Sequence, residues 1–80
     1  MTDFEELQKK IDDSGMTMVA IAEKTGILKA TLYNRFKGVG EFTATEITAL
    51  TAVLHLSRAE REKIFFARGF NEIKPEEVTV

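Results

Sequence analysis

Three times in 80 residues a hydroxyl side chain is followed three places later by a glutamate: Thr2-Asp3-Phe4-Glu5, Thr43-Ala44-Thr45-Glu46 and Ser57-Arg58-Ala59-Glu60. This is the capping-box pattern, in which hydroxyl and carboxylate reciprocally satisfy the free amides at a helix start. Each box marks where a helix begins. The stops are equally plain, because Ser14-Gly15, Gly26 and Gly38 offer the left-handed residue with which helices commonly end. Between starts and stops, apolar residues recur at intervals of three and four, the period of a helix with one buried face.

The first helix then carries Phe4, Leu7 and Ile11 on one face. A second, capped by Thr17, turns Met18, Ile21, Ala22 and Thr25 inward and stops at Gly26. A third runs from about Leu28 to Lys37 with Leu28, Leu32 and Phe36 spaced by four. The fourth carries Ile47, Leu50, Val53 and Leu54 to a stop near His55, with Phe42 and Ile47 at the two positions of a hydrophobic staple. The fifth leads to Ile64, Phe65 and Phe66. The last two cannot both point inward on a regular helix, which leaves one for a partner. No strand-like alternation occurs before residue 68. The predicted fold class is all-α: a compact five-helix bundle in residues 1–66, followed by a tail, 67–80. Gly69 and Pro75 interrupt that tail, while Phe70, Ile73, Val78 and Val80 keep it partly apolar. It reads either as a disordered end or as a dimerisation arm or short strand packed on a second copy.

Composition excludes several classes of function. Without cysteine there is no disulfide, thiolate metal site or thiol nucleophile. No apolar run approaches the ~18 residues of a membrane span, and no signal-peptide pattern follows Met1, which reads as an initiator. His55 is the only histidine and stands at a helix end, where the dipole favours a cation. Asp12 and Asp13 are sequence neighbours and do not face one another on a helix. Gly38-Val39-Gly40 is too short for a phosphate-binding fingerprint. The expectation is no enzyme, no metal, no cofactor, no small-molecule ligand, no membrane partner and a cytoplasmic location.

The net charge of −2 is unlike the basic balance usual in nucleic-acid binders, but it is unevenly spread. Residues 1–22 carry a net −3. Residues 23–37 set Glu23 against Lys24, Lys29, Arg35 and Lys37, a net +3. These cations fall inside a unit running from Thr17 to Gly38. There, two short helices flank Thr25-Gly26-Ile27, a turn of helix-turn-helix length with its glycine. Small Ala22 allows the helices to approach, and Gly26 accepts a left-handed backbone without a Cβ penalty. Ile27 and Leu32 fill the wedge, and Phe36 packs the second helix onto the rest. The spacing Ile21-Ala22-x-x-x-Gly26-Ile27-x-x-x-x-Leu32 is more specific than a plain helical hairpin requires.

The stretches IAEKTGI (21–27), TLYNRFKG (31–38) and EFTATEI (41–47) resemble the lambda-repressor-like superfamily of phage and bacterial regulators, the Cro and xenobiotic-response-element type, and especially its short phage-encoded members. The resemblance covers residues 4–66 and omits the tail. It implies a five-helix domain that binds double-stranded operator DNA as a homodimer and regulates transcription in a bacterial host cell. Its base-reading positions carry over to Lys29, Ala30 and Asn34, with Thr31 and Tyr33 nearby. It places Thr17 at a phosphate, with Lys37 and Thr43 on the loop and helix start beyond the recognition helix. Lys29 suits guanine O6 and N7, Asn34 suits adenine, and the Ala30 methyl suits that of thymine. Thr17 and Thr43 serve equally as caps, and Tyr33 as cover for a hydrophobic edge. The chain departs from the wider pattern at Met18, often glutamine, at Leu28, often a small polar cap, and at Arg35, often apolar. Arg35 therefore either snorkels or reaches the DNA backbone. The competing expectation is a protein-interaction module, using the acidic first helix and the apolar tail, in which the face bearing Lys29, Asn34 and Lys37 is buried or paired with acids.

Overall fold

The computed structural model describes residues 2–66; the expectations for the tail at 67–80 lie outside the described residues. These residues form five helices and no strand: α1 Phe4–Ser14, α2 Met18–Thr25, α3 Lys29–Phe36, α4 Ala44–Val53 and α5 Arg58–Phe65. None is long and apolar enough to cross a membrane.

Local capping sets most of the boundaries. The hydroxyls of Thr17, Thr43 and Ser57 accept from the amides of Ala20, Glu46 and Glu60, each at 3.1 Å. Glu46 and Glu60 complete their boxes by accepting from the amides of Thr43 (3.0 Å) and Ser57 (2.9 Å). At α1 the cap falls one residue later than the sequence pattern predicts. Asp3, not Thr2, accepts from the Glu6 amide at 3.1 Å. The Asp3 amide, which a reciprocal Asp3–Glu6 box would give to Glu6, donates instead to the Ile64 carbonyl on α5, so the α1 cap is one-sided. Aspartate is as good a cap as threonine, and the sequence offers both registers, Thr2–Glu5 and Asp3–Glu6; α1 takes the second.

The ends follow the glycines, with one substitute. Gly15 and Gly26 close α1 and α2 at φ 77° and 82°. At α3, Val39 N–H donates to Asn34 and Gly38 N–H to Arg35, a Schellman closure with Gly38 at φ 90°. The same pattern ends α4, where Leu56 N–H donates to Thr51 and His55 N–H to Ala52. Here the left-handed residue is His55, at φ 55°.

The core joins all five helices through Leu7, Ile11, Ile21, Ile27, Leu32, Phe42, Ile47, Leu50, Leu54, Leu56, Ile64 and Phe65. Helix α2 packs on both α3 and α4, and α5 packs on α1 and α4. Phe4, Phe36, Phe42 and Phe65 add a connected aromatic row; the Phe4 and Phe36 ring centroids are 4.9 Å apart and the Phe42–Phe65 pair meets edge to face at 5.6 Å. This row ties the C-terminal end of α3 to α1, so the orientation of α3 depends on the whole bundle. Phe65, the last residue of α5, is buried, and Phe66, its C-cap, is half-exposed.

Leu28 is a correction. Its four-residue spacing from Leu32 predicts a core position, yet its side chain is 72% exposed. As the N-cap of α3 it has extended backbone angles (φ −63°, ψ 141°), so it lies outside the helical register that carries Leu32 inward. Ile27 and Leu32 fill the wedge without it. Val53, also placed inward by spacing, is half-buried; Leu56, beyond the helix, is buried.

Candidate nucleic-acid interface

The segment joining α2 to α3 is held by one hydroxyl. Thr25 Oγ1 donates to the Ile21 carbonyl (2.7 Å) and accepts from the Ile27 amide (3.1 Å). It thereby links the last turn of α2 to the residue that enters the wedge, while Gly26 makes the left-handed bend between them. Ile27 and Leu32 are buried on either side of the start of α3. With the two ends of α3 fixed by this turn and by Phe36, its outer face has one orientation.

That face carries Lys29, Ala30, Tyr33, Asn34 and Lys37, all exposed. At 100° per residue they occupy an arc of about 140°. Helix α3 contains no acidic residue, and among the described residues neither Lys29 nor Lys37 has a carboxylate within ion-pair distance. The first turn of α3 also has no side-chain cap, so its amides and positive dipole end face solvent, the arrangement that suits anions.

The remaining predicted positions do not join this arc. Thr31 is half-buried and lines a cleft between the turn and the start of α4, with Thr43 on the opposite wall. Both lie beside the face rather than on it. Thr17 is exposed at the far end of α2, ~12 Å along an eight-residue helix from the turn. Thr17 and Thr43 both act as caps, which does not prevent their hydroxyl hydrogens from donating outward.

Arg35 resolves its two alternatives by a third route. Its Nη1 donates to the Val39 carbonyl at 3.3 Å, and its Nη2 lies 3.5 Å from Glu46 Oε1. The side chain, 17% exposed, folds inward against the 37–43 loop and the start of α4, with Nε buried and without a hydrogen-bond partner among the described residues. Gly40 is part of this seat: a Cβ there would lie 2.5 Å from Nη1. Arg35 thus positions the loop that carries Lys37 to Thr43 and leaves no charge for the outer face.

The basic segment is consequently divided. Lys24 borders a shallow cleft formed with Met16, Val53 and His55 near the end of α4, and Arg35 is paired, leaving Lys29 and Lys37 on the α3 face. Sequence spacing detects this division poorly, because it depends on which helix surface α4 covers. Two exposed apolar residues beside the arc also escape spacing arguments: Leu28, and Val39 at 57% exposure in the loop. For Leu28, the missing polar cap is the available signal. Compared with known protein families, curated proteins and solved structures, the chain matches none.

Proposed function

We propose that α2, its turn and α3 form a helix-turn-helix of lambda-repressor-like type, and that the protein is a sequence-specific DNA-binding transcriptional regulator. The observation that carries the reading is the outer face of α3. A buried edge anchors it, while its exposed arc combines two lysines that no carboxylate among the described residues pairs, an asparagine, and small or aromatic side chains without one acid. In such a motif the second helix enters the major groove and reads base edges from its N-terminal part. Lys29, Ala30 and Asn34 are the base-reading residues. Lys37 and Tyr33 face phosphates, with Thr17, Thr31 and Thr43 as supporting contacts. A helix of eight residues spans ~12 Å, enough for only a few base pairs, so useful specificity calls for two copies on a two-fold site. The half-exposed Phe66, next to buried Phe65 at the end of α5, supports a homodimer.

The protein-interaction alternative calls for the α3 face to be buried or matched by acids. In the single chain it is open, which favours DNA. The low overall charge is compatible with this reading and predicts a shallow salt dependence. One phosphate-facing lysine per protomer, Lys37, two per dimer, gives a slope in log affinity against log salt of about −1.8.

The test is selection from a random DNA library with the wild type, Lys29→Ala and Asn34→Ala. Loss of sequence preference in both variants, with helical content intact, supports the assignment; a wild type without selective binding at low salt refutes it. Lys37→Ala should instead weaken binding across all sequences and reduce the salt slope by about one per protomer.

A further inference from the structure

Leu28 combines two features that a purely structural residue would not. It occupies the N-cap of α3, where Ser, Thr, Asp or Asn would close the first turn, yet makes no cap bond. Its side chain is also the most exposed large apolar group among the described residues, at 72%. The core is filled without it. A lone exposed leucine needs no explanation by itself, but its surroundings are specific. It adjoins Lys29 and exposed Ala30, at a helix end with free amides and no acid in its first turn. An apolar tip on a cationic, uncapped helix end suits an anionic surface with isolated apolar groups. The major groove is such a surface: among phosphates and polar base edges it offers one kind of apolar substituent, the pyrimidine C5-methyl. An apolar protein surface would match the leucine but not the charged, unsatisfied helix end around it.

We infer that Leu28 is a specificity-determining residue that reads a pyrimidine C5-methyl group in the major groove, thymine being the base that carries it unmodified. The inference rests on the DNA-binding reading and adds to it a contact at the cap position, ahead of the helical arc. The side chain exchanges local helix stability for recognition: a polar cap there would hold α3 better and read no methyl.

The experiment uses the full chain and its selected duplex, with each thymidine replaced in turn by deoxyuridine, which removes the methyl and leaves the pairing edge unchanged. At one position in each half-site the wild type should lose about fourfold in affinity, the fold-change for one buried methyl, about 0.8 kcal/mol. Placing 5-methylcytosine instead of cytosine at that position should gain a similar factor, which separates the methyl from thymine O4. Leu28→Ser should bind the thymidine and deoxyuridine duplexes equally while its Tm rises through the restored cap. Selective binding by the wild type that is indifferent to every deoxyuridine exchange overturns the inference and leaves the DNA-binding reading standing. The same holds for a Leu28→Ser variant that keeps full discrimination, or for a 5-methylcytosine duplex that gains nothing. A wild type that selects no DNA overturns both. The deoxyuridine series uses the wild type alone, so its outcome does not depend on how the variant folds.

Discussion

Gly40→Ala tests how the loop behind the candidate recognition helix is held. Two separate costs are expected. Gly40 has φ +79°, and placing an L-residue in that left-handed region costs roughly 1 kcal/mol. The new Cβ would also lie 2.5 Å from Arg35 Nη1 and 3.3 Å from Cζ. A guanidinium is the far end of a flexible chain and can move. Moving it gives up an exposed bond to the Val39 carbonyl at 3.3 Å and a half-buried one to Glu46 at 3.5 Å. Because both bonds are long, their joint value is about 1.5 kcal/mol, the low end for hydrogen bonds to charged groups. The reduced entropy of the unfolded alanine chain returns about 0.5 kcal/mol. The expected loss is therefore about 2 kcal/mol, read by urea denaturation followed through the helical circular-dichroism signal. In an Arg35→Ala background only the backbone strain remains, so the same substitution should cost about 1.5 kcal/mol less. Equal costs in both backgrounds would refute the Arg35 latch. No cost in either would also refute the need for glycine at this bend.

Three further outcomes follow from other parts of the structure. Thr25→Val should destabilise by about 1–2 kcal/mol, because it removes the hydroxyl's bonds to the Ile21 and Ala22 carbonyls and leaves the Ile27 amide unpaired in a half-buried turn; a midpoint within error of wild type counts against the bridging role. His55→Gly should raise stability by about 0.5–1 kcal/mol, or several degrees in Tm, by relieving a left-handed histidine at the end of α4, and a lowered Tm would contradict the strain. The Lys10 ammonium, 2.7 Å from Glu60, holds that carboxylate below its ordinary value, with the Ser57 amide helping, and Glu60 raises Lys10 in return. For Glu60 the stabilisation is present above pH 4.5 and is lost as the pH falls through its depressed value; for Lys10 it is present below pH 10.5 and is lost as the pH rises through its elevated value. NMR titration should find Glu60 below its ordinary value of 4.5, and Lys10→Met should move it back up; an unmoved Glu60 disproves the pairing.

Much of this architecture is legible in the sequence because its cause is local. Thr17, Thr43 and Ser57 cap their helices through bonds to amides three residues away, so a hydroxyl ahead of a helical apolar run, with a glutamate three places on at Thr43 and Ser57, suffices to find them. Gly15, Gly26 and Gly38 end helices because their own backbones enter the left-handed region. The grouping of Lys29, Ala30, Tyr33, Asn34 and Lys37 is equally readable, since helical period alone puts them on one arc. Thr2 misleads because two overlapping registers, Thr2–Glu5 and Asp3–Glu6, both fit the pattern, and α1 takes the second, with the Asp3 amide bonded to the Ile64 carbonyl near the other end of the described chain.

The charges and apolar groups around that arc show the same division. Sequence sums Lys24, Lys29, Arg35 and Lys37 into one basic segment, but α4 draws Arg35 to Glu46, and Lys24 faces the far end of the same helix. Periodicity assigns Leu28 to the core, but the cap conformation turns it out and makes it the residue that best defines the tip of α3. By itself, then, the sequence determined that there would be five short helices, where most of them start and stop, and which α3 residues share a face, because capping and period act within one or two turns. Only the tertiary structure decided which cations stay on the outer face and which apolar side chain is left outside, because burial and pairing depend on residues that folding brings together from distant parts of the chain.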